Sequence, residues 1–133
     1  MRKFMTQEEM KLRAKQFALR VIRLVESLPE TRTSNPIGNQ LLRNGTSVGA
    51  NYRTACRAKS TADFINKLAI VEEVSDESMS WIELLVESNQ VKNNLVENLH
   101  READEILSIV VSAIKTSKEK SNLKSQIPNP KSI

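Results

Sequence analysis

Apolar residues along this chain recur every three to four positions, with polar residues between them, and this spacing predicts helices rather than strands. The first such stretch runs from Thr6 to about Leu28, with Met10, Ala14, Phe17, Ala18, Val21, Ile22, Leu24, Val25 and Leu28 as its apolar set. That stripe is wider than one coiled-coil seam and suits a helix that touches two neighbours. Thr6 followed three positions later by Glu9 forms a capping box at its start, and Leu28-Pro29 stops it. Asn35-Pro36 restarts a second helix, which continues to about Arg57. Ser60 with Asp63 opens a third, reaching about Ser88. Asn94 with Glu97 opens a fourth. Leu95, Leu99, Ala103, Ile106, Val110 and Ala113 make its stripe, flanked by Val96, Leu107, Val111 and Ile114.

Four helices of about 20 residues with short connections predict an all-α, antiparallel, up-down-up-down four-helix bundle over residues 1–117. From Lys118 the periodicity stops and two prolines follow, so 118–133 reads as a basic, flexible tail. A chain of 133 residues is one ordinary domain.

Charge adds a second pattern. Residues 31–60 carry five Lys/Arg and no acid, whereas 61–90 carry one Lys and seven acids. The net charge of +4 therefore hides two opposed blocks, one on each of two consecutive helices. With the connecting turn near Lys59-Ser60, antiparallel packing sets Arg43 opposite Asp76 and Glu77, with Gly45 and Gly49 opposite Val74 and Ile70. Glycine inside a helix costs about 1 kcal/mol relative to alanine, so Gly45 and Gly49, with Ala50, read as a flat strip that admits a neighbouring helix. Arg43 is then the expected ion-pair partner of Glu73, Asp76 and Glu77, through a bidentate contact.

Candidate chemistry is sparse. Glu72, Glu73, Asp76 and Glu77 share a helix face, but a carboxylate di-metal site needs Glu-x-x-His pairs, and His100 is the only histidine. No phosphate-cradling glycine loop, Ser/His/Asp set or zinc pattern occurs, so the expectation is a protein without enzymatic activity, metal or cofactor. Cys56 is the only cysteine, which fits a reducing cytoplasm. No apolar run approaches the ~20 residues a membrane helix needs. Arg53, Arg57 and Lys59 end the second helix and could grip phosphates. They could equally complement the negative end of the helix dipole. Trp81 falls at core spacing, and only 4% of residues are aromatic, so base stacking is a minor theme.

The run Gln40-Leu-Leu-Arg-x-Gly-Thr-Ser-Val-Gly-Ala-Asn-Tyr-Arg53, followed by Phe64-Ile-x-Lys-Leu-x-Ile-Val-Glu-Glu73 and Asp76-Glu-x-x-x-Trp81-x-Glu-Leu-Leu85, resembles the S23-type bacterial four-helix bundle family. That family is related to proteins encoded by intervening sequences in large-subunit ribosomal RNA genes. Another related branch is the accessory variability protein of diversity-generating retroelements. The resemblance covers about residues 10–116. It implies a barrel-shaped homopentamer and, by the retroelement branch, binding to nucleic acid and to a reverse transcriptase. Carried onto this chain, Arg20, Arg23, Arg43, Arg53, Arg57 and Lys59 become candidate RNA or DNA contacts. The alternative is an oligomeric scaffold whose arginines serve intersubunit ion pairs.

Overall fold

In the computed structural model, which describes residues 5–126, four helices follow one another: α1 (Gln7–Ser27), α2 (Ser34–Cys56), α3 (Thr61–Glu87) and α4 (Asn93–Gln126). Each packs against its neighbour in sequence, and α4 returns to α1, while the α1/α3 and α2/α4 diagonals do not approach. This is the up-down-up-down square that the periodicity implies. The α1/α4 side is the sparsest of the four, and α2/α3 the most extensive.

The helix ends follow local rules. Thr6 and Glu9 form the capping box, each side chain taking the other's backbone N–H at 3.0 Å. α2 begins earlier than its Asn-Pro pair implies. The Thr31 hydroxyl accepts from the Ser34 N–H at 2.9 Å, and Asn35 N–H bonds to the Thr31 carbonyl, so the chain is already turning before Pro36. Ser60 caps α3 by accepting from Asp63 N–H. The same helix ends on Asn89 with φ 63°, where the N–H groups of Gln90 and Asn89 return to the carbonyls of Leu85 and Val86. Asparagine tolerates this left-handed position, and the two hydrogen bonds close the helix sharply.

The core is continuous: Met10, Ala14, Phe17 and Val21 of α1 meet Leu41, Val48 and Tyr52 of α2, Leu68, Val71, Ile82 and Leu85 of α3, and Val96, Ile106 and Val110 of α4. Burying each large side chain contributes roughly 1.5–3 kcal/mol. Two details differ from the sequence pattern. On α4 the buried line is Val96, Leu99, Ala103, Ile106, Val110 and Ile114, whereas Leu95 is 71% exposed and Ala113 only partly covered. The four central positions of the expected stripe are therefore kept, and only at its two ends do the flanking Val96 and Ile114 take the inward places of Leu95 and Ala113. α4 also continues as helix to Gln126, through nine residues expected to be tail; 127–133 lie outside the described residues.

α1 and α4 are tied by Arg13, which donates through Nε and Nη2 to the two Glu102 carboxylate oxygens at 2.6 and 2.8 Å, and to Glu105 at 3.1 Å. The Glu102 bond raises the Arg13 pKa above its ordinary value, against the smaller opposing effect of burial. Across α3 and α4, His100 Nε2 lies 2.8 Å from Glu83 Oε2.

Candidate nucleic-acid interface

Helix α2 has one buried side and one bare side. Gly38, Leu41, Asn44, Gly45, Val48, Tyr52 and Ala55 are buried. Arg43, Ala50, Arg53, Thr54 and Arg57 are exposed. At about 100° per residue, Arg43, Ala50, Arg53 and Arg57 fall within a sector of roughly 80° centred opposite the core. The stripe from Arg43 to Arg57 is about 21 Å long, and exposed Lys59 continues it into the α2–α3 turn. Among the described residues none of these four cations has an ion-pair partner. The reason is in the sequence: no acid occurs from 31 to 60, so no carboxylate on α2 can reach them.

Arg43 therefore does not pair with Glu73, Asp76 or Glu77. Its neighbour does the cross-helix work: Asn44 Nδ2 donates to Glu77 at 2.9 Å, and Trp81 Nε1 donates to Asn44 Oδ1 at 3.0 Å. Charge pairing is the link that a basic helix beside an acidic one suggests. Burying an amide with its partners costs less desolvation than burying two ions, and Arg43 stays hydrated. α2 and α3 do lie antiparallel, in a register within about a turn of that expected.

The glycines do not face α3. A Cβ on Gly45 would sit 2.8 and 2.9 Å from the Val21 methyls of α1, and one on Gly49 would sit 3.4 Å from Ala14 Cβ. With Asn44 turned to α3, the next residue points about 100° away, towards α1. The strip is therefore an α1/α2 device, and Ala50 lies outside it, exposed among the arginines.

Arg20 and Arg23 are elsewhere. They rim a cleft between α1 and α4 floored by Leu24, Val96 and Leu99, apart from the α2 stripe. On a different side, Glu72, Glu73 and Asp76 line a groove between α3 and α4 with Ala69, Leu107 and Val111. Among the described residues these three acids also have no ion-pair partner. Among those residues no group of three His, Cys, Asp or Glu side chains could hold a metal. No helix there is long and apolar enough to cross a membrane. Cys56 is half-buried beside Tyr52, whose hydroxyl pKa is pushed up first by burial and then by its hydrogen bond to the thiol. Asn44 was not singled out by the sequence, because an amide in mid-helix carries no signal of its own; its i+1 glycine was the visible feature.

Comparison with known proteins places these surfaces in context. A crystal structure of a protein of unknown function from the S23 ribosomal protein family of Bacteroides thetaiotaomicron VPI-5482 is 35% identical, with a TM-score of 0.77. The match covers 84% of this chain and 99% of that one. No curated protein is significantly similar. The family model for the 23S rRNA-intervening sequence protein matches residues 7–113, which is all of α1, α2 and α3 and most of α4. The chain belongs to the 23S rRNA-intervening sequence protein family.

Proposed function

We propose that this protein acts by binding rather than catalysis, gripping the phosphate backbone of nucleic acid with the arginine stripe of α2, as a homo-oligomer in the cytoplasm. The observation that carries this is the uncompensated row of Arg43, Arg53 and Arg57, continued by Lys59. Three arginines along about 21 Å, with Lys59 beyond them in the turn, match a polyanion better than any small anion. Arginine presents a planar fork suited to phosphate oxygens. The family's link to ribosomal RNA genes puts RNA ahead of DNA. Binding of a labelled RNA at low and at elevated salt tests the proposal: affinity should fall steeply as salt rises. No binding at low salt, or binding indifferent to salt, rules it out.

A second reading is favoured by the acidic groove of Glu72, Glu73 and Asp76, which is as uncompensated as the arginine stripe. Two complementary faces on one chain suit a head-to-tail ring, the pentamer that the resemblance implies, with arginines spent on intersubunit pairs. The two readings differ in whether RNA and assembly compete for the same arginines.

A further inference from the structure

The last core residue of α4 is Ile114, yet the helix runs on to Gln126, about 18 Å further at 1.5 Å per residue. This overhang borders a cleft. Ser117, Lys120 and Leu123 form one wall of a cleft of about 550 Å³, and Lys59, Ser60 and Phe64, at the α2–α3 turn and the first turn of α3, form the other. The cleft therefore opens at the pole where the α2 arginine stripe ends.

We infer that this cleft seats one nucleotide of a single-stranded nucleic acid, Lys59 and Lys120 holding its phosphate while Phe64 and Leu123 receive its base. The inference rests on the nucleic-acid reading above and gives it a strand preference. Among the described residues neither lysine has an ion-pair partner, and the acid nearest Lys59 in sequence, Asp63, is turned 4.0 Å from Lys67. Ser60 Oγ already accepts from Asp63 N–H, which leaves its own proton free to donate to a phosphate or ribose oxygen. The apolar lining supplies what the α2 stripe lacks: a half-buried ring, and a leucine 62% exposed to solvent. The volume lies within the range of small-ligand pockets and is enough for a nucleotide. A duplex keeps its bases stacked on one another, so only an unpaired base can reach Phe64. The α4 wall, Ser117 to Leu123, lies beyond residues 7–113 matched by the family model.

The test compares a short fluorescein-labelled RNA strand with the same strand annealed to its complement, by anisotropy over a salt series. The full chain should prefer the single strand by about tenfold. Lys59→Gln with Lys120→Gln should lower single-strand affinity about tenfold. It should also flatten the slope of log affinity against log salt by about 0.7 for each phosphate that the variant no longer neutralises. Duplex binding, held chiefly by Arg43, Arg53 and Arg57, loses only the Lys59 contact and should fall clearly less than single-strand binding. Phe64→Leu keeps an apolar side chain against the core but removes the ring; single-strand affinity should drop about fivefold with the salt slope unchanged. Equal binding of strand and duplex, or variants that leave single-strand binding intact, overturns the nucleotide seat while the α2 stripe stands. No RNA binding by the unsubstituted chain at low salt overturns both. Circular dichroism melts of the variants, whose changes are at exposed lysines and one conservative ring, establish that they remain folded.

Discussion

Trp81 donates its indole N–H to the side-chain oxygen of Asn44 across the α2/α3 seam, and the nitrogen of the same amide donates to Glu77. Asn44 is 8% exposed, so all three polar groups depend on this one register. Sliding α3 by a turn would strand an indole N–H and a buried amide, each costing about 1–3 kcal/mol. Asn44→Leu should accordingly destabilise the fold by about 2–3 kcal/mol in chemical denaturation. In a double-mutant cycle with Trp81→Phe the two effects should be less than additive. Additive effects would show that the amide and the indole do not act together.

Gly45 and Gly49, both facing α1, should respond differently to alanine. At Gly45 the new methyl meets Val21, a buried β-branched side chain that cannot swing aside. Overpacking of about 1–3 kcal/mol then exceeds the helix-propensity gain of about 1 kcal/mol, and Gly45→Ala should lower the melting temperature. At Gly49 the methyl finds ordinary contact with Ala14. Gly49→Ala should leave the melting temperature unchanged or raise it, and thermal melts of the pair separate the cases.

Arg13→Lys should weaken the α1/α4 side, because an ammonium cannot reproduce the fork that spans both Glu102 oxygens. With both side chains partly exposed, the destabilisation should be about 1 kcal/mol. The sign of its pH dependence follows from the raised Arg13 pKa. A raised value stabilises fully below the unfolded pKa and fades only as pH climbs through the folded one, which lies at the alkaline extreme. The stability difference between the two proteins should therefore stay constant from about pH 7 to about pH 9, below the titration of the substituted lysine, measured by urea titration.

Assembly can be separated from RNA binding at the acidic groove. Replacing Glu72, Glu73 and Asp76 together by glutamine leaves the α2 arginines untouched. Light scattering should show a smaller particle if neighbouring copies meet through these carboxylates, while RNA affinity holds or rises because three repelling charges are gone. An unchanged particle mass would remove the groove from the assembly interface.

The bundle was legible because its helix signals are local. The capping box at Thr6, the stop at Pro29 and the Ser60 cap each act within a few residues, and the apolar period needs no partner to be seen. The charge blocks were legible too, as was the antiparallel placement of α2 beside α3. What the sequence left open was rotation about each helix axis. Gly45 faces α1 because Asn44 faces α3, and at the ends of the α4 stripe Val96 and Ile114 go inward in place of Leu95 and Ala113, because where two apolar residues adjoin the period alone does not choose between them. The α4 extension was hidden because Lys118 to Gln126 has weak amphipathicity of its own, and only the fold brings Lys120 and Leu123 to the cleft beside the α2–α3 turn. For the same reason Lys120 could not be joined to Lys59 in advance.

The most direct measurement is RNA affinity across a salt series for the unsubstituted protein and for a variant with Arg43, Arg53 and Arg57 all replaced by glutamine. All three side chains are exposed and make no ion pair among the described residues, so the variant should fold normally. If the α2 stripe grips the phosphate backbone, affinity falls at low salt and the log–log salt slope flattens by about 0.7–0.9 for each arginine that met a phosphate. A folded variant that binds RNA with the original affinity and slope would contradict that role.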